Sequence, residues 1–134
     1  MLYDAHVHLS DPEYDKEIDF VITTMENLGI KACAVSMDNT SSARTIELAK
    51  KSDHILPFIG IHPEKAGDDL ESMVSLIQAN TGIISGIGEI GLDKTYASNA
   101  EQFARQKLVF TKLLETDRKS TRLNSSHVKR SRMP

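Results

Sequence analysis

The chain has 134 residues, 40% of them hydrophobic and 26% charged, a composition that fits one ordinary globular domain with a core of its own. No apolar run is long enough to span a membrane and no basic-then-apolar leader opens the chain, so neither a membrane span nor a secretory signal is expected. The single cysteine, Cys33, excludes an internal disulfide, suits a reducing cytoplasm and reads as a small buried hydrophobe. The net charge of -3 hides an asymmetry: residues 1–117 hold 19 acidic and 10 basic side chains, whereas residues 118–134 hold six basic and no acidic ones.

Met1 to Leu9 (MLYDAHVHL) reads as a first strand, apolar at Leu2, Ala5, Val7 and Leu9 and free of Gly or Pro. Strand side chains at i and i+2 share a face, so His6 and His8 project together, with Asp4 beside them. Two adjacent imidazoles make a chelating pair for a metal, and Asp4 suits a carboxylate that orients one of them. Alone, the pair is a weak signal. Ser10-Asp11-Pro12 then starts a helix that carries Ile18, Val21, Ile22, Met25 and Leu28 near helical spacing and stops at Gly29. Ile30 to Met37 is a second, buried strand, and Asn39 to Ser52 a second helix. Ile55 to Ile61 is a third strand and Asp68 to Asn80 a third helix. Gly82 to Ile90 reads as a fourth strand and Asn99 to Glu115 as a fourth helix, with Phe103, Leu108, Phe110, Leu113 and Leu114.

Four strand-helix units in strict alternation predict an α/β fold with a parallel sheet and crossover helices. From Arg118 the apolar periodicity is lost. Residues 118–134 read either as a basic arm for nucleic acid or, preferred, as a disordered or non-native tail; their wording resembles adapter-derived endings.

The chemistry-bearing residues fall at strand ends. Glu89 lies among glycines and isoleucines in Gly86-Ile87-Gly88-Glu89-Ile90-Gly91, an expensive place for a carboxylate unless it is paired or on a metal. Gly60-Ile61-His62-Pro63 closes the third strand. Active sites gather at the C-terminal ends of strands in (β/α) barrels, which take eight units in about 250 residues; four units are present.

Three stretches together carry a resemblance: Asp4-Ala5-His6-Val7-His8-Leu9, Gly60-Ile61-His62-Pro63-Glu64 and Gly88-Glu89-Ile90-Gly91-Leu92-Asp93, followed by a helix with Gln102-Phe103 and Gln106. In order and spacing the chain resembles the N-terminal half of a TatD-type metal-dependent hydrolase, a DNase-related family of the amidohydrolase superfamily. The resemblance implies a partial TIM-type barrel holding one or two divalent cations, with His6 and His8 as ligands and Glu89 binding or bridging. It further implies His62 on the same rim near substrate phosphate, Asp93 supporting the rim loop, and DNA as substrate. Mg, Mn, Zn and Fe all suit nitrogen-plus-carboxylate ligation.

The family takes further histidines and a catalytic aspartate from later strands, for which nothing in this sequence answers, so no catalytic residue is assigned. Leu113-Leu114-Glu115-Thr116-Asp117 resembles the family's late motif, but it follows directly on the helix after Glu89, and no role passes to Asp117; His127 matches nothing. The expectation is a truncated hydrolase unit over residues 1–117 with little activity of its own, and with open sheet edges that invite self-association. The rival readings are a related amidohydrolase for small esters, amides or lactones, which the acidic body favours, and an inactive fragment with a basic binding tail.

Overall fold

The computed structural model describes residues 1–130, with side chains through Ser120. Four strands, β1 (Leu2–Val7), β2 (Ile30–Val35), β3 (Ile55–Ile59) and β4 (Gly86–Ile87), form one sheet in the order β1-β2-β3-β4, every pair parallel. Between and after them run α1 (Ile18–Leu28), α2 (Asn39–Ala49), α3 (Leu70–Ala79) and α4 (Ala100–Arg130). Short 3-10 turns occupy Pro12–Tyr14, Pro63–Lys65 and Lys94–Tyr96, in the loops at the C-terminal ends of β1, β3 and β4. The expected α/β half-barrel topology is therefore present.

Local chemistry explains the boundaries. Asp11 accepts the N–H of Glu13 and caps the first 3-10 turn, which separates from α1 what the sequence reads as one helix. Gly29 ends α1 in the left-handed region at φ 65°, where a Cβ would be strained, and its carbonyl accepts from Leu2 at the start of β1. Asp38 and Ser41 form a reciprocal capping box at α2. α4 runs past Glu115 to Arg130 because no Gly or Pro falls within those positions. Among the described residues no helix is long and apolar enough to cross a membrane.

The helices cover one face of the sheet. Ala32, Ala34, Ile55 and Ile59, which share a face by register, are buried in two apolar clusters. One joins Ile18, Ile22 and Met25 of α1 to Leu48 of α2; the other joins Ile46 of α2 to Met73, Val74 and Ile77 of α3 and Val109 and Leu113 of α4. Each fully buried aliphatic side chain contributes about 1.5–3 kcal/mol by leaving water. On the opposite face Tyr3 is exposed, and Cys33, Leu56 and Phe58 are half-buried. Cys33 is thus half-buried rather than the buried hydrophobe expected of it, because among the described residues no helix packs on its side of the sheet. Leu28 is likewise exposed.

Two strands differ from expectation. β1 is the exposed edge expected of an open sheet, but it ends at Val7 and its pairing with β2 shifts register between Asp4 and Val7. β4 is two residues long because the N–H groups of Ile83 and Ile84 turn back to the carbonyl of Asn80, and the first bond to β3 comes only from the Ser85 N–H to the carbonyl of Pro57 (2.7 Å).

Candidate metal centre

In a flat sheet, three strand spacings of about 4.8 Å would hold the ends of β1 and β4 roughly 14 Å apart. The chain closes that gap by leading the segment after β4 across the end of β3. Gly88 donates to the carbonyl of Ile59 (3.0 Å), and Glu89 donates to the carbonyl of Ser36, at the end of β2 (2.8 Å). Ser36 is itself buried, its hydroxyl 2.8 Å from that of Thr45 on α2. Gly60 makes the crossing possible: a Cβ there would lie 2.7 Å from the carbonyl oxygen of Glu89 and 2.9 Å from Cγ2 of Ile90.

The crossing delivers the Glu89 carboxylate to the histidine pair. Nε2 of His6 and Nε2 of His8 are 3.3 Å apart, Oε2 of Glu89 is 3.3 Å from His8, and Oε1 is 3.8 Å from His6. One donor atom from each residue lies within 4.8 Å of the others. Four ligands at about 2.1 Å in a tetrahedron stand about 3.4 Å from one another, so the spacing fits a shared divalent cation. The donor set is two imidazole nitrogens and a carboxylate. Among the described residues these nitrogens have no partners except one another and Glu89. The two rings meet edge to face, with centroids 5.1 Å apart.

The other expected residues stand outside this three-donor cluster, His62 and Asp93 in the rim loops after β3 and β4. The Asp4 carboxylate accepts from the backbone N–H of His6 (3.0 Å) and makes no hydrogen bond to either imidazole. It therefore stiffens the irregular end of β1; the i, i+2 rule assumes a regular strand, and this one shifts register. His62 caps the turn at Pro63–Lys65, its Nδ1 accepting from the N–H of Glu64 (3.2 Å). Its ring meets that of Tyr96 edge to face at 5.5 Å, a contact that no motif signals. Asp93 caps the turn at Lys94–Tyr96, accepting from Thr95 Oγ1 (2.6 Å) and the Thr95 N–H (2.8 Å). Those bonds, the side-chain one foremost, with a smaller contribution from nearby His62, hold its carboxyl below the usual carboxylate range. Asp117 lies along α4, roughly 16 Å of helix rise from Gln106, the residue that touches Asp93. The His127 side chain lies outside the described residues.

Beside the histidine pair opens a cleft of about 460 Å³, bordered by Asp11, Tyr14, Met37, Asp38 and Lys65. Lys65 and Tyr14 carry no signal in the sequence, since only the fold brings them to His6 and His8.

A parallel sheet of four β-α units with a histidine-carboxylate cluster at the C-terminal ends of its strands defines the class: half of a (β/α) barrel with three donor groups on its rim. The chain belongs to the TatD related DNase family, whose model matches residues 3–132. It is 34% identical over 125 residues to a putative deoxyribonuclease tatdn3 of Danio rerio, covering 84% of this chain and 47% of that protein. It is 32% identical over 114 residues to an uncharacterized metal-dependent hydrolase of Methanocaldococcus jannaschii, covering 83% and 44% respectively. The crystal structure of YJJV, a TatD homolog from Escherichia coli, superposes with a TM-score of 0.72 at 19% identity, covering 90% of this chain and 48% of that one. The chain spans about half the length of the curated relatives it matches.

Proposed function

We propose that this chain carries part of the divalent-cation centre of a hydrolase that cleaves phosphodiester bonds in DNA, with His6, His8 and Glu89 as cation ligands. The observation that carries the reading is the convergence of those three donors within 4.8 Å from opposite edges of the sheet. Relatives described as deoxyribonucleases and metal-dependent hydrolases support the reaction class. A cation so held supplies two things that phosphodiester hydrolysis needs at neutral pH, acidification of a water and neutralisation of phosphoryl charge. The ligand types suit Mg, Mn, Zn or Fe, singly or as a pair.

The protein's own groups do the rest. His62 accepts at Nδ1, so in the neutral ring the proton sits on Nε2, which makes no hydrogen bond among the described residues. That N–H is the group we assign to a phosphate oxygen of the substrate, and Tyr96 limits the tilt of the ring. Asp93 keeps the adjoining turn in place. No general base is assigned. The unit is proposed to work in the cytoplasm, in keeping with a lone unpaired cysteine. Its body is proposed to comprise residues 1–117, with residues 118–134 a basic segment set off by charge although α4 continues through the boundary to Arg130.

A second reading, hydrolysis of small esters, amides or lactones, is favoured by the cleft itself, where Asp11, Glu13 and Asp38 face a single lysine, Lys65. A polyanion would meet repulsion there. Nucleotide release from DNA is to be compared with turnover of chromogenic ester and lactone substrates, each with added Mn2+ and each repeated for His6→Ala. Weak, Mn2+-dependent and His6-dependent release from DNA is expected. His6-dependent ester or lactone turnover without nuclease activity would establish the second reading instead. Activity indifferent to His6 would overturn both.

A further inference from the structure

We propose that Gln106 is a positioning residue for the metal centre, acting through both main-chain groups of Asp93 to hold the segment that carries Glu89. The proposal rests on the reading of His6, His8 and Glu89 as cation ligands.

Gln106 stands on the buried stripe of α4, where the next inward positions are Val109 and Leu113, and is itself only 2% exposed. A leucine would fill that stripe without burying an amide, and a buried amide is costly unless its donor and acceptor are both used. Both are: Nε2 donates to the carbonyl of Asp93 (2.8 Å), and Oε1 accepts from the Asp93 N–H (2.9 Å). The amide thus grips one residue from both sides, as a neighbouring strand would.

What it grips matters for Glu89. The segment from Gly88 to Asp93 is tied at its start by the bonds to Ile59 and Ser36. Among the described residues the N–H groups of Ile90, Gly91 and Leu92 make no hydrogen bond. The next tie is Gln106. The segment is therefore a short bridge over the end of β3, pinned at two points, with Glu89 beside the first and the second supplied by α4. Arg105, one position earlier, donates to the carbonyls of Ala66 (2.8 Å) and Asp68 (3.1 Å) in the loop that follows His62. One turn of α4 thereby fixes both rim segments.

The test measures Mn2+ affinity of the full 134-residue chain by calorimetry, with thermal unfolding in parallel. Gln106→Leu should weaken Mn2+ binding about tenfold, the lower end of the 10–100-fold range seen when supporting partners of metal ligands are removed. Gln106→Glu keeps an acceptor for the Asp93 N–H but loses the donor to its carbonyl, and should weaken binding similarly even if the leucine variant fails to fold. Val109→Ala, a cavity in the same helix away from Asp93, should lower the melting temperature and leave Mn2+ affinity unchanged. Gln106 variants that bind Mn2+ like wild type, while His6→Ala does not, would overturn the proposal and leave the metal reading intact. Equal weakening by Val109→Ala would reduce Gln106 to a stability residue. Affinity unaffected by His6→Ala would remove the metal reading, and this proposal with it.

Discussion

At the scale of single residues, the rim is set by small groups whose work is geometric. Gly60 lets the backbone of Gly88 and Glu89 and the side chain of Ile90 pass at contact distance. Gly60→Ala should therefore cost about 1–3 kcal/mol in urea unfolding, since the opposing atom is a main-chain oxygen that cannot swing aside, and should weaken cation binding as Glu89 is displaced. Asp93 offers a pH test. Its folded-state carboxyl titrates below the ordinary value, so the stabilisation it confers is present above that ordinary value and is lost as pH falls through the lowered one. Thr95→Val removes the largest cause, the hydroxyl hydrogen bond, and should move the Asp93 midpoint upward in a carboxyl NMR titration; an unmoved midpoint would assign the shift elsewhere. At this scale the motifs announced which side chains would converge, because His-x-His and a carboxylate among glycines are unusual chemistry for a strand end. Nothing in them announced that Asp4 would turn to its own backbone, or that Tyr96, three positions past Asp93, would reach His62.

At the scale of elements, amphipathic spacing made α1 to α3 readable, and the fourth helix was readable as far as Glu115. β4 was not. The run Gly82-Ile83-Ile84-Ser85 has the apolar density of a strand, and such a run cannot reveal that two of its N–H groups bond the carbonyl of Asn80, the residue that caps the preceding helix. The packing of α4 on α3 carries much of one core cluster through Leu113, which is fully buried. Leu113→Ala should destabilise by about 2–5 kcal/mol, read from the shift in denaturation midpoint. A loss below about 1 kcal/mol would mean that α4 is not the structural partner described.

At the scale of the whole molecule, the sheet ends in two parallel edges, β1 and β4, and its helix-free face carries Tyr3, Cys33, Leu56 and Phe58. Leu2 and Tyr3 on the first edge are 65% and 63% exposed. Unpaired edges and apolar surface favour association, so light scattering should report a mass above that of one chain, reduced by Leu2→Lys. A strict monomer at high concentration would contradict this. The proposed meeting of opposite sheet edges in one cation centre is read by Mn2+ titration of wild type, His6→Ala and Glu89→Ala. Each single substitution, on a different edge of the sheet, should weaken binding by at least about tenfold, the low end of the range for outer partners of a metal site. Equal affinity in all three proteins would contradict it.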